Sequence, residues 1–234
     1  MKLLATDFDN TLFNKKDYHK NIKYINKFVD EGNLFVIVTG RYFDSLLKDI
    51  EGLNLKYSYL ICNDGGIIFD RNLNILYRKD IPHNIANEIA DIYNNSSCLS
   101  DWYIDTGTAI TKDKTATVNG LIGRFNDVEK AKKLLSEIKE KYKEVDGYLS
   151  DKWINVTEKT VNKGSGIKEL LYILKINESN VYTIGDDVND ISMSDYNFNS
   201  YSMSNSIIEL KSKTMRSYNS VYELVMDILK DGLK

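Results

Sequence analysis

The chain has 234 residues, of which 42% are hydrophobic and 28% charged, proportions that are ordinary for a globular protein. Its formal net charge is −3 and it contains no long basic stripe, which argues against a nucleic-acid partner. No apolar run is long enough to span a bilayer, and Asp7 follows the N-terminus too soon for a signal peptide, so we expect no membrane association.

The two cysteines, Cys62 and Cys98, have no metal-type spacing. Cys62 lies in an apolar strand-like run and Cys98 in a polar segment, so neither is a persuasive nucleophile. A chain with so few cysteines is typical of a reducing compartment, and we therefore expect a cytoplasmic protein.

Short apolar runs alternate with amphipathic stretches over the first 80 residues. The run LFVIVTGR, residues 34–41, is nearly continuous in apolar residues, which is typical of a strand covered on both faces of a parallel sheet. The pattern predicts strands at 2–7, 34–41 and 59–62, helices at 17–31 and 42–50, and a hairpin over 67–78 that turns about 71–74.

The alternation of apolar runs with amphipathic stretches changes near Asp80, close to the single proline of the chain, Pro82. From there we predict two successive units, each a helix followed by two strands. The predicted helices are at 83–94 and 127–142, and the predicted strands at 98–104, 109–118, 145–150 and 153–157. Strand–helix alternation then returns, with a helix at 166–174, a strand at 181–186, a short helix at 190–194, a strand near Tyr201 and a helix at 221–229.

This order predicts one α/β domain that is interrupted by a smaller α+β module. We expect a Rossmann-like core with a parallel sheet, formed by residues 1–80 and 159–234, and an inserted module of two αββ units over residues 81–158.

Polar residues of a particular kind follow three of the predicted core strands. The first strand ends in Asp7 and Asp9, the second in TGR (39–41) and the last in GDDVND (185–190), while Lys163 lies near the start of a predicted helix. Since ligands bind beyond the carboxyl ends of parallel strands, these segments are expected to converge. Two carboxylates as close as Asp7 and Asp9 repel each other, so either a cation lies between them or one is protonated.

Each of these motifs has an alternative interpretation when it is taken alone. The two acids could form a turn or helix cap, or a metal–nucleotide site of the glycosyltransferase kind. Thr39 could simply satisfy backbone groups at a strand end, Arg41 and Lys163 could be surface cations, and GDDVND could cap a helix. Their joint occurrence at successive strand ends favours a single site.

In this order the motifs DFDNT (7–11), TGR, the lysine and GDDVND resemble those of the haloacid dehalogenase-like superfamily. The pattern is most similar to the Cof-type and sucrose-phosphatase-like branch, whose C2-type cap is inserted between the second and third motifs. NDGG (63–66), DISM (190–193) and SMSNS (202–206) add to the resemblance, which covers the core segments. The middle module, at about 80 residues, is similar to the short C2B caps.

The resemblance implies a Mg²⁺-dependent phosphatase that forms an aspartyl-phosphate. Asp7 would be the nucleophile and Asp9 the general acid and base, with Lys163 as the third catalytic group. The implied metal residues are Asp7, Asp9 through its backbone carbonyl, Asp186 and, in support, Asp190. The residues implied to surround the phosphoryl group are Thr39, Gly40, Arg41, Lys163 and Asn189.

The sequence departs from the family pattern at two positions. Asn10 replaces the commoner glycine, although asparagine also tolerates left-handed backbone. Asp187 is an additional acid, and we expect it to face solvent. In the cap we expect the aromatic residues to be core and the cations to be surface, rather than substrate contacts; the residues considered are Trp102, Tyr103, Lys114, Arg124 and Trp153.

The expected substrate is a small phosphorylated metabolite such as a sugar phosphate, handled by a monomer or homodimer. Three alternatives use the same residues differently. A phosphomutase or phosphotransferase would pass the phosphoryl group to a second hydroxyl, and a non-catalytic protein would only bind the phosphorylated ligand. A glycosyltransferase is disfavoured because no nucleotide-sugar platform accompanies the two acids.

Overall fold

The computed structural model describes residues 1–14 and 16–230. The first third of the chain alternates strands and helices, as its apolar periodicity predicts. The strands are β1 (Leu3–Thr6), β2 (Leu34–Val38), β3 (Tyr59–Cys62), β4 (Ile67–Asp70) and β5 (Ile75–Arg78), and the helices are α1 (Tyr18–Asp30) and α2 (Phe43–Ile50). Every residue of β1 and all but the first of β2 and β3 are buried, so helices cover both faces of this sheet.

The middle of the chain contains two helices and five strands. They are α3 (His83–Asn94), β6 (Leu99–Asp105), β7 (Ile110–Thr111), β8 (Gly120–Phe125), α4 (Val128–Lys141), β9 (Val145–Ser150) and β10 (Trp153–Glu158). The predicted strand over 109–118 is wrong beyond Thr111, because β7 covers only Ile110–Thr111. Asp113 accepts hydrogen bonds from the backbone N–H and hydroxyl of Thr115, and this turn ends β7.

The true second strand, β8, contains two glycines, which lower its intrinsic strand propensity. Its pairing with β6 on one side and β10 on the other outweighs that preference. The sequence signal therefore misplaced this strand by about ten residues because long-range pairing is absent from local periodicity.

The remainder of the chain returns to strand–helix alternation. Its elements are α5 (Lys163–Leu174), β11 (Val181–Gly185), β12 (Asn199–Met203), α6 (Ile208–Lys213), β13 (Ser217–Tyr218) and α7 (Val221–Leu229), with a 3₁₀ helix at Val188–Ser194. Helix α5 begins three residues before its predicted start, because Asn162 and Ser165 form a reciprocal capping box there. This earlier start places Lys163 in the first turn of the helix.

The larger sheet has the strand order β13-β12-β11-β1-β2-β3-β4-β5. Strands from β13 to β3 run parallel, and β4 and β5 form the antiparallel hairpin. The predicted α/β class with a parallel core sheet is confirmed. Because Thr6 pairs with both Ile37 and Ile184, the carboxyl ends of β1, β2 and β11 lie side by side.

The smaller sheet is antiparallel, with the order β7-β6-β8-β10-β9. One of its faces packs on α3 and α4 around a buried cluster that includes Ile89, Tyr93, Phe125, Leu135 and Ile154. Its opposite face is turned toward the carboxyl ends of the core strands, where residues from both sheets line one cavity.

None of the helices in the described part of the chain has the length and hydrophobicity needed to span a membrane.

Candidate active site

A cavity of about 620 Å³ lies between the two sheets, at the carboxyl ends of β1, β2 and β11. Asp7 continues β1, and its backbone N–H donates to the carbonyl of Ile184 at 3.0 Å. Most of the predicted site residues line this cavity: Asp7, Asp9, Thr39, Gly40, Arg41, Asp186, Asn189 and Asp190. Lys163 lies directly behind Asp7, to which it is hydrogen-bonded.

A buried lysine joins two of the acids. The Lys163 ammonium donates to Asp7 Oδ1 at 2.7 Å and to Asp190 Oδ1 at 2.6 Å, and all three side chains are at least nine-tenths buried. The adjacent Asp190 and Asp7 carboxylates raise the pKa of Lys163 against the effect of burial, so the ammonium stays charged. The chain thus holds a permanent cation beside Asp7.

A third carboxylate, that of Asp186, lies close to the two that Lys163 joins. Asp7, Asp186 and Asp190 each offer an oxygen within 4.8 Å of the others. Burial raises the pKa of Asp7 well above its ordinary value; Lys163 opposes that shift and Asp190 adds to it. Burial also raises the pKa of Asp186 to about 6. If all three were ionised, the carboxylates would outnumber the single ammonium of Lys163, and another cation would favour those ionised forms.

The free oxygens of this cluster fit a hard divalent cation. Both Asp190 oxygens are occupied, Oδ1 by Lys163 and Oδ2 by the backbone N–H groups of Asp186 and Asp187 at 2.7 and 3.0 Å. Asp186 Oδ1 accepts from the Thr11 hydroxyl at 2.9 Å. Asp7 Oδ2 and Asp186 Oδ2 accept no hydrogen bond from the described residues, so these two oxygens remain available as ligands.

Asp9 is held in a different way from Asp7. Its two oxygens accept from Arg41 Nε and Nη2, both at 2.7 Å, and its side chain is 49% exposed. Arg41 also donates to Asp49 and lies over the Phe8 ring, 5.1 Å from its centroid. The guanidinium therefore forms ion pairs with two carboxylates, those of Asp9 and Asp49. It lies beside Asp9 and not beside Lys163.

The loop after β2 needs a small residue at one position. The Thr39 hydroxyl accepts from the Arg41 backbone N–H at 3.1 Å, which fixes the turn. A Cβ on Gly40 would lie 2.9 Å from the Tyr148 hydroxyl and 3.1 Å from the Asp64 carboxylate. Glycine at this position thus allows a side chain from the smaller sheet to approach the core.

The backbone of Asn10 has the left-handed conformation, with φ of 58°, that asparagine tolerates.

Asp64 and Tyr148 form a bridge between the sheets that was not predicted from the sequence. The Tyr148 hydroxyl on β9 donates to Asp64 Oδ2 at 2.8 Å, and the Asn189 amide donates to Asp64 Oδ1 at 2.8 Å. Burial raises the pKa of Tyr148, so its hydroxyl remains a donor. Burial likewise raises the pKa of Asp64. Asp64 could have been recognised as a site residue from the NDGG segment, which places polar residues directly after β3. No local pattern in the sequence pointed to Tyr148.

Replacing Tyr148 by phenylalanine should lower the free energy of unfolding by about 1–3 kcal/mol, because buried Asp64 loses a donor and keeps only Asn189. Urea unfolding of the variant and the parent measures this difference. Tyr142→Phe is a matched control, since that hydroxyl donates to Glu88, which is 54% exposed. Equal losses in the two variants would contradict a special role for the Tyr148 bridge.

Asp187 does not simply face solvent, as we expected. Its side chain accepts from the Val188 backbone N–H at 2.8 Å, capping the 3₁₀ helix, and from the Ser150 hydroxyl on β9 at 3.0 Å. It is only partly exposed and lines the cavity. The additional acid thus joins the loop after β11 to the smaller sheet, a contact that neither segment shows locally.

The family relationship follows from a profile comparison. The profile described as haloacid dehalogenase-like hydrolase matches residues 4–124 and 104–221, which together span nearly the whole chain. The chain belongs to this family. The resemblance stated from the motifs, and the prediction of a hydrolytic enzyme, are therefore confirmed.

Relatives of this hydrolase include two curated phosphatases. A 5-amino-6-(5-phospho-D-ribitylamino)uracil phosphatase from Bacillus subtilis is 24% identical and the match covers 92% of this chain and 91% of the relative. A phosphoglycolate phosphatase from Picrophilus torridus is also 24% identical, over 82% of this chain and 75% of the relative. A solved haloacid dehalogenase-like hydrolase from B. subtilis has a TM-score of 0.84 at 17% identity and full coverage of both chains, which supports the fold.

The smaller sheet of the hydrolase contributes side chains that we expected to lie elsewhere. Tyr103 and Trp153 line the cavity instead of filling the core of this module, because they lie on the sheet face opposite the helices. Trp102, on the other face of β6, is buried and donates to Asn94 at 2.7 Å, as expected for a core residue. Lys114 pairs with Asp91, and Arg124 is exposed, as expected for surface cations.

Proposed function

We propose that this hydrolase removes the phosphoryl group from a small phosphorylated metabolite through an aspartyl-phosphate on Asp7. The observation that carries the proposal is the position of Asp7: a buried carboxylate, ion-paired with Lys163, that keeps Oδ2 available at the cavity. Asp9, two residues after Asp7 in the chain, lines the same cavity. The phosphatase names of the two curated relatives support the same reaction.

The reaction divides between Asp7 and Asp9. Asp7 Oδ2 attacks phosphorus and the ester P–O bond breaks, while Asp9 gives its proton to the departing oxygen. Asp9 then takes a proton from water as the water oxygen attacks phosphorus, and cleavage of the P–O bond to Asp7 releases inorganic phosphate. In the structure both Asp9 oxygens accept from Arg41, so Arg41 must release at least one of them for this proton transfer.

The free carboxylate oxygens support a resident Mg²⁺. Asp7 and Asp186 would hold it together with the Asp9 backbone carbonyl. Asp190 would support Asp186, since Asp190 Oδ2 accepts from the Asp186 backbone N–H. When bound, Mg²⁺ would neutralise negative charge on the phosphoryl oxygens. Lys163 does the same from the chain itself, and its ion pairs hold Asp7 in position.

The phosphoryl group itself would lie among residues from four segments. Thr39 and Gly40 follow β2, Asn189 follows β11, and Lys163 begins α5. Arg41 would reach the group only by leaving Asp9 or Asp49. Charge neutralisation and in-line positioning by these groups account for most catalysis of phosphoryl transfer.

We also propose that the two sheets are two domains. Residues 1–80 and 159–234 would form the core and residues 81–158 a cap that moves over the site, since the smaller sheet uses only strands from the middle segment. Both cysteines are free thiols, which supports a cytoplasmic location.

Phosphate release from a panel of phosphorylated metabolites tests the proposed function. We expect turnover of at least one sugar phosphate or similar phosphomonoester in Mg²⁺, loss of turnover on dialysis against EDTA, and recovery when Mg²⁺ is restored. Unchanged turnover in EDTA would contradict the metal requirement. Absence of release from every phosphomonoester in the panel would contradict the phosphatase proposal itself.

A further inference from the structure

On the cavity-facing side of the smaller sheet, one row of mostly apolar side chains crosses the four long strands. Strand pairing places Tyr103 opposite Ile122, Ile122 opposite Asn155, and Asn155 opposite Tyr148, so one row crosses β6, β8, β10 and β9. All four residues line the cavity, and Trp153 lies two residues from Asn155 on the same face. The wall opposite the catalytic residues is thus mainly aromatic and aliphatic.

In the row that crosses the four strands, the Asn155 amide is the polar group that has no partner among the described residues. Tyr148 is occupied by Asp64, and Ser150 by Asp187. The Asn155 side-chain amide, in contrast, makes no hydrogen bond with any described residue while it lines the cavity. An amide offers both a donor and an acceptor, so it can bind a hydroxyl, a carbonyl or another amide.

The wall also lacks a positive charge. Among the described residues that the smaller sheet and its loops place in the cavity, the single formal charge is the carboxylate of Asp151. Arg41, the lining cation of the core, is already paired with Asp9 and Asp49. Arg124 is exposed over the Trp153 ring, 5.5 Å from its centroid, and does not line the cavity. A second anionic group on a substrate would therefore meet no unpaired cation there, and would lose hydration without compensation.

We infer that the substrate's leaving group carries no anionic group, presents a flat or apolar face to Trp153 and Tyr103, and hydrogen-bonds the Asn155 amide. This inference rests on the proposed phosphatase function and narrows it, because it excludes phosphomonoesters whose leaving group carries a carboxylate or a second phosphate. Aromatic side chains bind flat rings by stacking and also cover the apolar faces of sugars and polyols.

Two phosphomonoesters of nearly equal shape test the inference. They are 4-carbamoylphenyl phosphate, with an uncharged amide, and 4-carboxyphenyl phosphate, with a carboxylate at the same position. We expect kcat/KM in Mg²⁺ to favour the carbamoyl compound by at least about tenfold, the scale of one unsatisfied charged contact. Equal efficiency, or preference for the carboxylate, would overturn the inference.

Variants in the wall sharpen the test. Asn155→Lys introduces a cation and should reduce the carbamoyl preference about tenfold or more, whereas Trp153→Ala should lower kcat/KM for the carbamoyl compound itself. Arg124→Ala is the control: it should leave the ratio unchanged, and a ratio that rises because carboxylate turnover is lost would overturn the inference by showing anion recognition by Arg124.

Failure of the inference and failure of the proposed function have different signatures. If neither aryl phosphate is hydrolysed, the same comparison applies to the other phosphomonoesters: a higher kcat/KM for those whose leaving group carries a carboxylate or a second phosphate than for uncharged ones would overturn the inference alone. Absence of phosphate release from any phosphomonoester would overturn the proposed function and, with it, the inference.

Discussion

Replacing Asp7 by asparagine should reduce phosphate release by about 10⁴-fold or more, to near the background rate, because the amide has no carboxylate oxygen with which to attack phosphorus. The fold should be retained. Lys163 keeps its ion pair with Asp190, and asparagine removes a buried carboxyl whose pKa burial already raises. Steady-state phosphate release measures the first effect and urea unfolding the second, with the variant expected to unfold within about 1 kcal/mol of the parent.

A matched acid-to-amide change separates this effect from a general one. Asp30→Asn removes a carboxylate that is 60% exposed, is paired with Lys56 and does not line the cavity, so this variant should retain parental turnover. Turnover of Asp7→Asn above about a tenth of the parental value would exclude Asp7 as the nucleophile. Loss of turnover together with loss of folded structure would show instead that Asp7 is needed for the fold.

The second large effect is expected at Lys163, which should be essential for both activity and stability. Lys163→Met keeps the length of the apolar stem and removes the ammonium between Asp7 and Asp190. Breaking a buried pair from one side leaves an uncompensated charge, so the free energy of unfolding should fall by about 3–5 kcal/mol at neutral pH. Turnover should fall with it, since Asp7 loses its positioning partner. Urea unfolding in EDTA avoids compensation by a bound cation.

The same helix supplies the control. Lys168 on α5 pairs with Glu178, but its side chain is 41% exposed, so Lys168→Met should cost less than about 1 kcal/mol and leave turnover intact. A loss for Lys163→Met no larger than that for Lys168→Met would contradict the importance of the buried triad.

Local periodicity was sufficient for most of the fold. The continuous apolar runs of β1 and β2 predicted buried parallel strands, and the structure buries them on both faces. The hairpin of β4 and β5 and the helices α3 and α7 lie where the pattern placed them. The strand predicted over 109–118 was wrong beyond Thr111, where the Asp113 turn ends it.

The candidate site was partly visible in the sequence for the same reason. Residues that directly follow parallel strands reach one edge of the sheet whatever the details of packing, so Asp7, Thr39 and Asp186 could be expected to meet. Lys163 was recognisable by the order of the motifs and by its position near the start of a predicted helix. The bidentate pairing of Asp9 with Arg41 was not, because it depends on two side-chain rotamers and on Asp49.

The sequence by itself thus determined the order and burial of the core strands and which residues stand at their ends, because strand and helix periodicities are short-range properties of a chain. Only the tertiary structure decided which residues of the middle segment face the cavity. Tyr148 reaches Asp64 across 84 positions and Ser150 reaches Asp187 across 37, and such contacts depend on how two sheets pack rather than on any local pattern.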